Sequence, residues 1–198
     1  MTGRGPPPLF AWQEQRTAHR RARRRAARLC ALAAVATGLV LMPIAVRPVP
    51  RLVWNASASA PIGLYLVTPG KRPPLGAMVI AWFPDRARKL AARRHYLPAN
   101  VPAVKHVAAV AGMRVCALDS VITVDGAAVA RRLAADARGD TLPAWRGCRT
   151  LARGQILLLA TDRPDSFDGR YFGISDTRDV LGTARLIWAP HDRGDDRG

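Results

Sequence analysis

The 198-residue chain has room for one domain of ordinary size, and its 49% apolar content is enough for a hydrophobic core. Its formal net charge of +17 is extreme, and 28 of its 31 basic residues are Arg. Because the Arg guanidinium keeps its proton in proteins, chemistry that needs a neutral amine is excluded everywhere except at Lys71, Lys89 and Lys105.

The first 28 residues carry eight Arg and a single acidic residue, Glu14. Such a cluster is typical of segments that bind nucleic acid or anionic lipid, and also of segments that fix the orientation of a membrane span. No helix-turn-helix pattern, zinc-ligand spacing or aromatic-interleaved basic patch is present, so no specific nucleic-acid partner is predicted. We interpret residues 1–28 as a basic cytoplasmic head.

An uncharged apolar run, LCALAAVATGLVLMPIAV, follows at residues 29–46. Its 18 residues are about the shortest length that crosses a bilayer as a helix. The run predicts one transmembrane anchor in bacterial inner-membrane lipid, with the Arg-rich flank in the cytoplasm and residues 47–190 in the periplasm. A buried core helix is the alternative, but eight flanking Arg argue against it.

The segment NASASAPIGLY, residues 55–65, raises a second alternative, a cleavable signal peptide. Small residues stand two apart at Ala56, Ala58 and Ala60, as they do at signal-peptide cleavage sites. The two Ala-Ser-Ala triplets, residues 56–58 and 58–60, begin ten residues past the apolar run, however, and Pro61 directly follows Ala60. Both features disfavour cleavage, so an uncleaved anchor is predicted.

Beyond the anchor, the sequence predicts a mainly β domain with one or two helices. A segment between Pro84 and Pro98 indicates a helix at residues 85–96. Asp125-Gly126, between two short apolar runs, is the strongest short-range signal for a β-hairpin. The predicted strands cover residues 62–67, 77–83, 104–111, 156–160 and 183–189.

Residues 131–148 are polar and irregular and are predicted to form a surface excursion, and residues 191–198 a flexible tail. Cys116 and Cys148 are compatible with a disulfide in an oxidising compartment and equally with two buried thiols. The four His are not paired at ligand spacing, so neither a metal site nor a cofactor is predicted.

Lys105 stands in the predicted strand of PAVKHVAAVAG, residues 102–112. Strand alternation places Ala103, Lys105 and Val107 on one face. An amine among apolar side chains loses hydration, which lowers its pKa and enables it to act as a general base near neutral pH. The alternative is a solvated lysine at an exposed strand edge.

The segment SFDGRYFG, residues 166–173, places Asp168 two residues before Arg170. The simplest interpretation is a turn with a surface ion pair, and such a pair stabilises a fold only slightly. By itself this segment indicates no catalysis.

Taken in order behind an N-terminal anchor, SASAPIGLY, VKHVAAVAG and DSFDGRYFG resemble motifs of the bacterial type I signal peptidases. The resemblance covers about residues 50–190 and is closer to the conjugative-transfer branch, the TraF-type peptidases that mature pilin. In that branch one residue separates the serine from the proline, as between Ser59 and Pro61, whereas housekeeping signal peptidases have two. The chain departs from the family at Met113, where Asp is usual.

The resemblance implies a Ser/Lys dyad, with Ser59 as nucleophile and Lys105 as general base. It implies that the Ser57 hydroxyl joins the Ser59 amide in an oxyanion hole. It further implies that three residues orient the lysine region and that two cysteines form a disulfide. These are Ser166, Asp168 and Arg170, and Cys116 and Cys148.

The implied fold is a mostly β, partly open barrel with small helical excursions behind one membrane helix. The implied function is a membrane-anchored serine endopeptidase that processes exported preproteins, most closely a pilin of a conjugative transfer system. Its partner is an extended preprotein or prepilin segment that pairs as a strand with residues 53–58 and 101–104. Two alternatives stay open: a non-catalytic assembly protein of a conjugation or secretion apparatus, and a general signal peptidase. The product is either a linear or a cyclised peptide.

Overall fold

The computed structural model describes residues 8–46, 49–57, 59–161 and 163–190 of the chain. The chain divides into two compact units, one up to residue 48 and one from residue 49 onward. The tail predicted at residues 191–198 and the first seven residues of the predicted head lie outside the described residues.

The N-terminal unit contains one long helix, α1, Pro8–Val46, of 39 residues. Within it, the 24-residue segment His19–Met42 contains an 18-residue stretch with a mean hydropathy of 1.6, and by length and composition it is able to cross a membrane. The helix runs without a break from the Arg-rich residues into the anchor predicted at residues 29–46. An unbroken helix satisfies its own backbone hydrogen bonds, as lipid requires.

The second unit is mainly β, which confirms the predicted class. Its described helices are α2, Asp85–Arg93, and α3, Gly169–Phe172, and a 3₁₀ turn spans Thr177–Asp179. The described strands are β1 Leu52–Asn55, β2 Gly63–Pro69, β3 Met78–Ala81, β4 Ala103–Ala109, β5 Arg114–Leu118, β6 Val121–Val124, β7 Ala127–Arg131, β8 Gly147–Thr150, β9 Gln155–Leu159, β10 Ser175–Asp176 and β11 Val180–Trp188.

In the described part of the chain these strands form two antiparallel sheets. The larger has the order β1-β2-β11-β3-β4-β9-β10, and the smaller has the order β7-β6-β5-β8. The larger sheet is open, since β1 and β10 each pair with one neighbour, and this fits a partly open barrel. The largest hydrophobic cluster joins the two sheets, with β9 contributing Leu157 and Leu159, and the smaller sheet Val115 and Ile122.

The predicted strands and hairpin correspond to observed ones, with ends that differ by one to three residues. The hairpin turn has positive φ angles of 48° at Asp125 and 87° at Gly126, as a two-residue turn between twisted strands requires. Helix α2 ends at Arg93 rather than at residue 96, because His95 adopts a left-handed φ of 56°. Strands β1, β5, β8 and β10 were not predicted.

The interpretation of residues 131–148 as a surface excursion is wrong in part. Arg132 and Leu142 are buried, and Ala135 forms a β-bridge with Thr141. The Arg132 guanidinium donates hydrogen bonds to the backbone carbonyl oxygens of Asp119 and Trp145. The polar sequence contained no sign of this burial. A buried charge is tolerated here because backbone carbonyl oxygens accept its hydrogen bonds.

Cys116 on β5 and Cys148 on β8 lie directly opposite each other and are joined by a disulfide across 32 residues of sequence. Reduction is expected to lower the free energy of unfolding by about 3–4 kcal/mol, because the crosslink restricts the unfolded chain. Urea unfolding with and without a thiol reductant measures this loss. A C116S/C148S variant is the control, and an equal effect of reductant on it would contradict the prediction.

Candidate active site

Between β1 and β2, residues 56–57 and 59–62 form a short loop that carries Ser57 and Ser59, both half-buried. Asn55 at the end of β1 pairs with Gly63 at the start of β2, which closes the base of this loop. A Cβ atom at Gly63 would lie 2.2 Å from the carbonyl oxygen of Trp188. The close approach of β11 therefore requires glycine in the PIGLY segment.

The Asn55 carboxamide, which is 6% exposed, ties this loop together. Its Nδ2 donates to the carbonyl oxygens of Ser57, Ala60 and Pro61 at 2.9, 3.1 and 3.1 Å. Its Oδ1 accepts from the Ser57 amide at 3.1 Å and from the Ser57 hydroxyl at 3.0 Å. The Tyr65 hydroxyl adds a hydrogen bond of 2.7 Å to the Pro61 carbonyl oxygen.

The two loop hydroxyls contact each other, with Ser57 Oγ 2.9 Å from Ser59 Oγ. Ser57 has a single hydroxyl proton. When this proton points to Asn55 Oδ1, the Ser59 hydroxyl is the donor to Ser57. The geometry therefore links the three side chains in one chain of hydrogen bonds.

Lys105 lies on β4, an interior strand between β3 and β9, and the residue is 2% exposed. Ala103 and Val107 on the same face are also buried, as alternation predicted, so the alternative of a solvated lysine is wrong. Burial lowers the pKa of the Lys105 amine from 10.5 to about 8, while the carboxylate of Asp168 acts in the opposite direction. A substantial fraction of this amine is therefore neutral near pH 8.

The amine of Lys105 donates a hydrogen bond of 2.5 Å to Ser166 Oγ and lies 5.9 Å from the centre of the Phe83 ring. Among the described hydrogen bonds, its side-chain partner is Ser166 and not Ser59. Catalytic hydrogen bonds are often long in a free enzyme and shorten when substrate binds. In this structure, the hydrogen bond to Ser166 therefore orients the Lys105 amine.

Asp168 and Arg170 are not the surface ion pair of the simplest interpretation, because their side chains are 0% and 3% exposed. Asp168 Oδ1 accepts from the Arg170 amide at 3.0 Å and from Arg170 Nε at 2.9 Å, so it also caps α3. Its Oδ2 accepts from the Ala160 amide at 2.8 Å. A Cβ at Gly169 would lie 2.7 Å from the Leu158 carbonyl oxygen, so glycine lets α3 pack on β9.

One cavity of about 300 Å³ brings the predicted residues together. Ser57, Ser59, Lys105 and Ser166 all line it. Asp168 and Arg170 are not among its lining residues and instead support the segment that carries Ser166. Cys116 and Cys148 lie in the smaller sheet and do not line it either.

The cavity wall contains residues that the sequence did not indicate. Four of its lining residues are aromatic, namely Phe83, Tyr96, Phe167 and Tyr171. The excursion at residues 131–148 contributes further wall residues, and the Tyr96 hydroxyl donates a hydrogen bond to one of them, Asp136. Phe167 and Tyr171 in SFDGRYFG were the available signal for this wall.

A family model described as signal peptidase, peptidase S26, matches residues 23–189. The chain belongs to the signal peptidase S26 family. This membership identifies a peptidase that processes preproteins, and with the apolar stretch of α1 it indicates a membrane-anchored protein. The matched range includes the Ser59 loop, β4 and the Asp168 segment.

Among solved structures, this S26 peptidase is similar to a signal peptidase I from Enterococcus faecalis. The identity is 17%, the TM-score is 0.34, and the match covers 57% of this chain and 96% of that chain. A comparison with curated proteins gives no match.

Proposed function

We propose that the chain is a membrane-anchored serine endopeptidase with a Ser59/Lys105 dyad. The observation that carries the proposal is a buried amine that opens onto the same cavity as the Ser59 and Ser57 hydroxyls. Burial supplies the neutral amine that a general base requires. Of the 31 basic residues of the chain only three are lysines, so few residues are available for this role. The basic head stays in the cytoplasm, and the domain from residue 47 faces the periplasm.

In the proposed reaction, neutral Lys105 takes the hydroxyl proton as Ser59 Oγ attacks the scissile carbonyl carbon. The Ser57 hydroxyl and the Ser59 amide donate to the resulting oxyanion. The Lys105 ammonium then returns the proton to the leaving amine, and the substrate acyl group remains as an ester on Ser59. Water or a peptide amine attacks this ester, which frees Ser59 and gives a linear or a cyclised product.

Two free strand edges support an extended substrate. β1 pairs with β2 alone in the described sheet, so its second edge is unpaired. On β4, pairing with β9 begins at His106, so Ala103 to Lys105 present free backbone groups on that side. An added substrate strand satisfies such edges and brings its scissile bond to the dyad.

The proposed dyad predicts a pH profile for cleavage. Because only the neutral amine accepts the Ser59 proton, kcat/KM is expected to rise with pH through the Lys105 pKa of about 8 and to level off above it. Initial rates on a peptide substrate between pH 6 and pH 10 measure this profile. A rate independent of pH across that range would contradict the assignment of Lys105 as base.

The finer proposal, a pilin substrate of a conjugative system, rests on the motif resemblance and on the single residue between Ser59 and Pro61. The test incubates the full chain in detergent with a conjugative prepilin and, separately, with a general secretory preprotein. Intact-mass measurement identifies the products, and a cyclised product is lighter than the linear one by one water. Cleavage of the prepilin alone supports the branch, and cleavage of the secretory preprotein alone indicates a general signal peptidase.

Ser59→Ala is the control for both substrates and is expected to show no cleavage. In cells it is also expected to block conjugative transfer. If Ser59→Ala supports transfer as well as the wild type does, the chain is a non-catalytic assembly protein and the proposal is wrong.

A further inference from the structure

We propose that Asn55 is a positioning residue of the active site, which orients the Ser57 hydroxyl that is proposed to donate to the oxyanion. The inference rests on the proposed role of Ser59 and deepens it. The segment SASAPIGLY that carries the resemblance begins at Ser57, whereas Asn55 lies upstream of it, on β1. Asn55 does not line the cavity, so it acts through its neighbours and not on the substrate.

The orientation of the Asn55 amide is fixed by its partners. Three carbonyl oxygens surround Nδ2, and the Ser57 amide N–H points to Oδ1. A flipped amide would place an oxygen against three acceptors and an NH₂ group against a donor. Oδ1 therefore faces Ser57 in every satisfied arrangement.

This fixed acceptor determines where the Ser57 proton points. With its proton on Asn55 Oδ1, Ser57 Oγ accepts a hydrogen bond from the Ser59 hydroxyl, with 2.9 Å between the oxygens, until Ser59 turns its proton to Lys105. When an oxyanion forms, the Ser57 hydroxyl can turn to donate to it. Asn55 Oδ1 then keeps the Ser57 amide as a donor, so the turn leaves no buried acceptor unpaired.

The Nδ2 half of Asn55 has a separate effect, because it holds the loop carbonyls in place. Tyr65 provides the matched control for this effect. Its hydroxyl holds the same loop through Pro61, and it makes no described hydrogen bond with Ser57. Tyr65→Phe thus removes loop support without touching the orientation of Ser57.

The experiment is a pair of double-mutant cycles measured as kcat and KM on a cleaved peptide. One cycle combines Asn55→Ala with Ser57→Ala, and the other combines Tyr65→Phe with Ser57→Ala. In the wild-type background, N55A is expected to lower kcat by about 10²-fold with KM unchanged. In the S57A background, the additional loss from N55A is expected to be at least about tenfold smaller.

The Tyr65 cycle is expected to be additive, with Y65F changing kcat by the same factor in both backgrounds. If N55A also lowers kcat by the same factor in both backgrounds, Asn55 only supports the loop and the inference is overturned. A rise in KM with kcat unchanged would overturn it as well. If N55A does not fold, Asn55→Leu, which has a side chain of similar shape but no hydrogen-bond acceptor, replaces it in the same cycle.

Failure of the proposed function is distinguishable from failure of this inference. If the wild type and S59A cleave equally, the dyad assignment is wrong. The inference about Asn55, which rests on that assignment, is then overturned with it. If S59A is inactive and the wild type cleaves, the cycles test Asn55 alone. Cleavage by S57A is followed in long single-turnover reactions by mass spectrometry, so that slow variants still give a rate.

Discussion

Replacing Lys105 with Met is expected to abolish peptide cleavage while the domain stays folded. Met has a long unbranched apolar side chain that suits a site flanked by Phe83, Ala103 and Val107. The variant removes the only described amine at the cavity, and loss of a dyad member is expected to lower kcat by at least about 10⁴-fold. Circular dichroism and cleavage of the same preparation measure fold and activity together.

Two controls separate the loss of the base from the loss of a lysine. Lys89→Met on α2 alters a lysine outside the cavity and is expected to cleave at the wild-type rate. Lys105→Arg keeps a cation at the site, but the guanidinium does not release its proton, so no cleavage is expected. A K105M or K105R variant with wild-type kcat would show that the base is another group.

The stability of these proteins provides a second readout of Lys105. The folded pKa of about 8 lies below the ordinary value of 10.5, so the unfolded chain binds more protons between these values. The contribution of Lys105 to the free energy of unfolding therefore rises from pH 8 to about pH 10.5. In K105M this rise is expected to disappear, and urea unfolding at pH 8 and pH 10 measures the difference.

The burial of Lys105 could be predicted from the sequence, although a solvated lysine was also compatible with it. Strand alternation placed it with Ala103 and Val107, and its apolar neighbours implied desolvation. Both expectations agree with the observed burial on an interior strand. Strand alternation could not predict that Ser166 is the hydrogen-bond partner of the Lys105 amine, because Ser166 lies 61 residues away along the chain.

The parts that sequence reasoning missed are those set by tertiary contacts. β1 is mostly exposed, and its apolar run of Leu52, Val53 and Trp54 is too short to mark a strand by itself, yet it ends in the buried Asn55. Residues 131–148 are polar, but Leu142 lines the cavity and the buried Arg132 donates to the carbonyl oxygen of Asp119, which lies outside this segment. Local pattern carries no information about such distant acceptors.

The Asp168–Arg170 pair also shows that sequence spacing does not predict burial. Sequence spacing predicted that the two charges pair, but it predicted a surface pair. Asp176 and Arg178 have the same two-residue spacing and the same contacts, a backbone N–H and a guanidinium on one carboxylate. That second pair is exposed, with side chains 36% and 82% accessible, so spacing alone does not distinguish the two environments.

Asp168→Asn is therefore expected to destabilise the domain far more than Asp176→Asn does. Removal of the carboxylate charge leaves the guanidinium of Arg170 buried without a counter-charge, and breaking such a pair costs about 3–5 kcal/mol. At Asp176 water solvates the remaining Arg178, so the loss is expected to be a small fraction of this. Urea unfolding of both variants beside the wild type measures the difference.

The same substitution also tests how Asp168 acts on the dyad. The carboxylate favours the charged form of Lys105, so its removal is expected to lower the Lys105 pKa further and to shift the rising limb of the pH profile to lower pH. D176N is expected to leave that limb in place. If D168N unfolds at the same urea concentration as D176N and has the wild-type profile, Asp168 neither stabilises the Ser166 segment nor influences the base. If both changes occur, one buried carboxylate couples the stability of the fold to the protonation of Lys105.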